Sequence, residues 1–183
     1  AGAAVEAAVE AAAEGDADAL ARDGIGVGAR VEVAQPGDEY LGSWFEGEVV
    51  ELERERARVR LAAFPNDEPE WMPHSALRPP PPAPPGMTAW AASLRPDDKL
   101  ELRDPKDGGW WEVVLVDMSR QRISQEVLFL VRSEHFGDEH EVGIGQLRPR
   151  WRWLSESQQW QMAHDGALFA TVKGGFDGGD GGA

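Results

Sequence analysis

The chain repeats itself on the two sides of a proline segment, and that duplication restricts its fold more than any other feature. Residues 78–86 read Arg-Pro-Pro-Pro-Pro-Ala-Pro-Pro-Gly, an extended spacer that no helix interior or central strand accommodates. On either side the same features recur in the same order: a short alternating strand, an aromatic pair opening a long strand, a second long strand, an acidic loop and a closing Leu-Arg-Pro. Val31-Glu32-Val33 matches Leu100-Glu101-Leu102, Trp44-Phe45-Glu46 matches Trp110-Trp111-Glu112, and Leu77-Arg78-Pro79 matches Leu147-Arg148-Pro149.

Alternation assigns faces to these strands. Ala57, Val59, Leu61 and Ala63 share one parity, while Arg56, Arg58 and Arg60 face water, and Phe64 falls on the polar parity. Phe45, Gly47 and Val49 form one face of the preceding strand, so Trp44 points with Glu46 and Glu48. Trp111, Val113 and Leu115 read as core, whereas Trp110 shares its parity with Glu112. Units of about 50 residues rich in short strands and turns imply two small antiparallel barrels, an all-β chain. The expected boundaries are an Ala/Glu-rich arm over 1–27, a first barrel over 28–78 and a proline-rich linker over 79–96. A second barrel with a Trp-rich end follows over 97–160, and then a flexible Gly-rich tail over 161–183.

Charge and composition narrow the function. The formal charge is 18 basic minus 33 acidic residues, or −15, which disfavours nonspecific contact with phosphate backbones and favours basic partners. No cysteine is present, so disulfides and thiolate zinc sites are excluded. No secretory signal and no apolar run of roughly 18 residues is visible, so no membrane span is expected. Gly24-Ile-Gly-Val-Gly-Ala29 imitates a dinucleotide fingerprint but precedes a strand instead of following one. His135 and His140 lie among Glu134, Asp138, Glu139 and Glu141 without a standard ligand spacing, so neither a metal nor a cofactor is expected. No nucleophile elbow occurs, and the histidines have no evident nucleophile partner, so the chain does not read as an enzyme. The ribbon Arg54, Arg56, Arg58 and Arg60 alternates with Glu51, Glu53 and Glu55, which favours cross-strand ion pairs.

With Gly28-Ala-Arg-Val-Glu-Val33, Tyr40-Leu-Gly-Ser-Trp-Phe-Glu-Gly-Glu-Val-Val50 and Leu77-Arg-Pro79 in one half, and Asp107-Gly-Gly-Trp-Trp-Glu112 and Leu147-Arg-Pro149 in the other, the chain resembles a tandem Agenet module, a branch of the Tudor-like Royal barrels. The resemblance covers about residues 28–160. It implies a nuclear chromatin reader, a monomeric module within a larger protein, that holds a methylated lysine of the histone H3 tail in an aromatic cage. The heterochromatic lysine-nine mark is the best match. Relatives that bind nucleic acid supply one alternative, and a methyl-independent protein-interaction scaffold is another.

A methylated ammonium keeps its charge but loses donors, so aromatic faces and a carboxylate hold it best. Tyr40, Trp44 and Phe64 are the aromatics of the first unit that escape the core parity or stand in loops, and Asp67 follows Phe64 closely; these four make the expected cage. Glu39, Glu68, Glu70, Trp71, Trp110, Asp138 and Glu139 are expected to meet the rest of a basic peptide. The loop over 104–109 has no aromatic, and Phe136 alone stands opposite Trp110, so the second unit reads as scaffold and peptide platform. Trp90, Trp151, Trp153 and Trp160 read as packing residues.

Overall fold

In the computed structural model residues 24–173 are described, apart from 85, 123–125 and 165–166, with only the backbone course given for 164 and 167–173. The expected N-terminal arm up to residue 23 and the tail from 174 onward lie outside the described residues.

Each half folds into five antiparallel strands. The first has β1 (Arg30–Val33), β2 (Ser43–Leu52), β3 (Arg56–Leu61), β4 (Glu70–Pro73) and β5 (Leu77–Arg78). The second has β6 (Lys99–Arg103), β7 (Trp110–Arg120), β8 (Val127–Ser133), β9 (Glu139–Gly143) and β10 (Leu147–Pro149). Neighbours run β4-β3-β2-β1-β5 in one and β9-β8-β7-β6-β10 in the other, so the sequence repeat is a topological repeat. Even the irregularity recurs: the β2/β3 register shifts between Val49 and Glu51, and the β7/β8 register between Leu115 and Asp117. A bulge at that point bends each long strand over its own core.

The chain is mostly β with one short helix, but the expected barrels are not closed. Among the described residues no ladder joins β4 to β5 or β9 to β10. The closing strands are too short and too rich in proline to do it: β4 ends on Pro73, β5 has two residues before Pro79, and β10 ends on Pro149. A proline offers no N–H to a ladder.

The first core gathers Val31, Val33, Phe45, Val49, Val59 and Met72, with Ile25 joining from the chain that precedes β1. The second gathers Leu100, Leu102, Val113, Leu115, Phe129, Val131 and Leu147. Much of this follows the alternation read from sequence, since β3 shows the burial order exposed, buried, half-buried, buried, exposed, buried. The expected linker is more than a spacer. Its second part forms α1 (Met87–Ser93), whose Trp90, with Leu94 just beyond, enters the second core. Past residue 150, β11 (Trp151–Leu154), β12 (Gln159–His164) and β13 (Ala167–Lys173) form a separate three-stranded sheet. Paired backbone thus reaches residue 173, where the sequence suggests a tail from 161.

The halves are joined where the two long strands begin. Ser43 pairs with Trp111 and Trp44 with Trp110, and the Glu112 N–H donates to the Gly42 carbonyl at 2.8 Å. Gly42 has φ +72, and a Cβ there would stand 2.4 Å from the His135 ring. Only glycine allows the backbones of the two units to approach in this way.

Candidate methyl-lysine site at the junction of the repeats

Because side chains alternate, the β2/β7 junction presents two faces of different chemistry. On one face lie Trp44 and Trp110 with four charged residues, one acid and one arginine from each repeat. Arg78 donates through Nε and Nη2 to Glu32 at 2.9 and 2.7 Å, through Nη2 to Glu101 at 3.0 Å, and through Nη1 to the Trp151 carbonyl at 2.7 Å. Arg148 donates to Glu101 at 2.6 Å and to both oxygens of Glu32 at 2.6 and 2.9 Å. The Arg78 guanidinium lies 3.7 Å from the Trp44 ring centre, and that of Arg148 lies 4.0 Å from Trp110. Glu32, Arg78 and Glu101 are buried. Desolvation pushes the Glu101 carboxyl above its ordinary range, against the opposing pull of Arg78 and Arg148. Two acids and two arginines leave no net charge in this quartet, which makes its burial tolerable.

On the other face lies a chain of rings. Tyr40 meets Phe45 edge-on at 5.9 Å and Trp111 at 6.4 Å, Phe45 meets Phe64 at 6.2 Å, and Trp111 meets Phe136 at 5.9 Å. Phe45 is the buried floor, whereas Phe64 and Phe136 are 38 % and 44 % exposed. Tyr40 is held by a single helical turn over Asp38–Tyr40, whose last carbonyl accepts from the Ser43 hydroxyl at 2.6 Å. Phe64 opens a tight turn in which the Asp67 N–H donates to the Phe64 carbonyl at 3.1 Å. Phe136 is the register equivalent of Phe64. Val59 faces Val49 and Val131 faces Leu115, and each phenylalanine follows its valine by five residues.

Beside these rings opens a cavity of about 640 Å³ lined by Trp111, Phe136 and Val142, with Glu39 reaching in from the first unit. Its charged lining comprises five acids (Glu39, Asp104, Asp138, Glu139, Glu141) against two bases (Arg103, Lys106), a formal −3. Behind the rim a second ionic chain braces the loop that carries Phe136. Lys99 and Arg150 both bond Glu134, Arg150 also bonds Glu112, and His135 lies 3.4 Å from Glu112. Glu134 is partly desolvated, which raises its pKa, but the bond from Lys99 and the charge of Arg150 outweigh this and hold it below 4.5.

The structure brings together only part of the expected site. Tyr40 and Phe64 both meet Phe45 and Asp67 follows Phe64 in its turn, while Glu39, Asp138 and Glu139 line the cavity with Trp111 and Phe136. Trp44 does not join them: strand parity turns it to the opposite face, where Arg78 covers its ring. Trp110, expected to meet a peptide, lies on that same opposite face, buried under Arg148. Trp71 is half-buried beneath the Arg56 guanidinium, 4.5 Å from its ring centre, while Glu68 and Glu70 are exposed near Arg58, which pairs with Glu68 at 3.6 Å. Trp111, read from sequence as core, is half-buried and central to the rim. Its parity is that of a core residue, and only the pairing with β2, which no periodicity shows, sets it against Tyr40.

Two repeats of five short antiparallel strands, with an aromatic rim at their junction, define a Tudor-like β protein. Residues 28–82 match the family model of the Agenet domain. The whole fold is similar to the AGD34 segment of AGDP1 from Arabidopsis thaliana, with TM-score 0.64 and 20 % identity over 79 % of this chain and 94 % of that one. A more distant likeness, TM-score 0.45 and 20 % identity over 66 % of this chain and 98 % of that one, is to the SHH1 SAWADEE domain in complex with an H3K9me3 peptide. A selenium-substituted SAWADEE mutant of SHH1 from Arabidopsis thaliana gives the same TM-score at 19 % identity. No curated protein matches the sequence.

Proposed function

We propose that the chain is a chromatin reader that binds a methylated lysine of a histone tail, with the lysine-nine mark of histone H3 as the preferred target and the nucleus as its place of work. The observation that supports this reading most is the open aromatic rim beside a net-acidic cavity. Tyr40, Phe64 and Trp111 surround the buried edge of Phe45, Phe136 continues the line, and five carboxylates lie alongside. In this reading Tyr40 and Phe64 wall the cage, Trp111 takes the place expected of Trp44, and Asp67 supplies the counter-charge. Each ring over the ammonium contributes about 0.5 to 2 kcal/mol. Glu39, Asp138 and Glu139 meet the arginines, lysines and free amino terminus of the tail, a contact that mainly speeds association and selects basic partners. Glu68 and Glu70 extend the acidic margin on the first unit, next to Trp71.

The test is calorimetric titration with H3 tail peptides that are unmodified or methylated at lysine nine. Binding near micromolar, about −8 kcal/mol, to the methylated peptide and at least tenfold weaker binding to the unmodified one is the expected result. Equal affinity for both defeats the cage.

A further inference from the structure

The acidic cavity is bounded by a strand whose outer edge has no neighbour among the described residues. β9 pairs with β8 alone, in a register running from Leu128 opposite Gly143 to Arg132 opposite Glu139. The next pair of that register is bonded, since the Ser133 N–H donates to the Asp138 carbonyl at 2.9 Å. Bonded and non-bonded pairs alternate along an antiparallel ladder. Val131 and His140, and Phe129 and Val142, therefore bond across it, and the main-chain groups of Glu139, Glu141 and Gly143 face away from β8.

The same edge exists in the first unit and is treated differently. Among the described residues β4 also pairs with one strand only. Because Val59 faces Glu70 as Val131 faces His140, Pro73 stands at the position of Gly143. Pro69 precedes β4 as well, so that edge is flanked and blunted by proline. β9 reads Glu-His-Glu-Val-Gly and has no proline. Its residues from Glu139 to Val142 form a wall of the cavity whose charged lining sums to −3. An edge carrying Glu139 and Glu141 repels a second copy of a chain of charge −15 and attracts a basic one.

We propose that β9 accepts a basic, extended peptide as an additional strand, bonded to the outward main-chain groups of Glu139, Glu141 and Gly143. The residues flanking the methylated lysine are then held by backbone hydrogen bonds as well as by the cavity carboxylates, a β-augmentation in which pockets read alternate side chains. The identity of the peptide rests on the proposed function.

Titration of the full chain with an H3 tail peptide trimethylated at lysine nine tests this. Glu141→Pro removes an outward N–H and leaves the bonded pairs of the β8/β9 ladder intact; it is expected to weaken binding about tenfold. Glu141→Gln keeps that N–H and is expected to weaken binding less than about threefold. Peptides N-methylated at single backbone positions, titrated against the unaltered protein, are expected to lose affinity at alternate residues; this measurement decides the question should Glu141→Pro misfold. Affinity within twofold of the unaltered protein for folded Glu141→Pro, or N-methyl peptides that all bind as the parent does, overturns the strand addition, while a persistent methyl preference keeps the cage. Loss of the methyl preference with alternating N-methyl sensitivity intact overturns the cage and supports the edge. No binding of the peptide at all overturns both.

Discussion

Trp44 and Tyr40 are four residues apart and have opposite consequences. Phe64 is exposed on the rim, so Phe64→Ala is expected to cut methyl-peptide affinity by about 0.5 to 2 kcal/mol with little change in melting temperature, whereas Tyr40→Ala is expected to cut it as much and also to lower the melting temperature, because its ring packs on the first core. Trp44 carries the Arg78 guanidinium on its face. Trp44→Ala is expected to lower folding stability by about 2 kcal/mol or more in chemical denaturation, as loss of a packed aromatic does, and to leave the methyl preference unchanged in the folded fraction. Glu134 has its own signature. Its pKa lies below 4.5 in the folded state, so its ionised form stabilises the protein above the unfolded value, and that contribution fades as pH falls through the folded one. Glu134→Gln is expected to flatten the acid limb of a stability-versus-pH curve below about pH 4.5 and to leave the limb above pH 6 unchanged in shape.

At the scale of elements, strand parity was legible in the sequence, and with it the turn of Trp44 away from the core of its own unit, the floor formed by Phe45 and the burial of Val59 and Leu61. What parity cannot supply is the neighbour on the far side. Trp44 shares a face with carboxylates, and nothing in its own strand says that an arginine 34 positions later, Arg78, will occupy its ring. The motif was nevertheless in view: the Glu of each short strand and the Arg of each closing Leu-Arg-Pro were the very matches that defined the repeat, and they become the buried quartet. The hydrophobic pattern hid them, because a buried glutamate inside Val-Glu-Val looks like an ordinary solvent-facing residue. Gly42 shows the same limit. Its sequence neighbour Tyr40 reads as standing in a loop, but the His135 ring beside Gly42 comes from the other repeat. Gly42→Ala is expected to destabilise the chain by about 1 to 3 kcal/mol, and a double variant that also truncates His135 should recover the clash component but not the cost of positive φ.

For the whole molecule the quartet decides whether two small cores behave as one. Each unit is too small to be very stable alone, and the charged bonds between them are desolvated and mutually satisfied. Arg78→Met leaves Glu32 and Glu101 with a single shared partner and is expected to cost about 3 to 5 kcal/mol. Scanning calorimetry of the unaltered protein is expected to show one transition over residues 24–173, and the variant two, as the repeats uncouple. A single transition in the variant, shifted by less than about 2 °C, would contradict the coupling role.

The strand contact between Trp44 and Trp110 matches each residue with its own counterpart in the other repeat. Two identical proteins meeting about a twofold axis make this kind of contact, but here both partners are on one polypeptide, tied by residues 79–96. A dimer of that design would come apart on dilution, and any site spanning the two halves would vanish with it. Tethering replaces protein concentration by a fixed local one, on the order of millimolar for a short linker. A rim shared by Tyr40 and Trp111 therefore stays assembled at any abundance, and the protein's occupancy of its target depends on the supply of target alone.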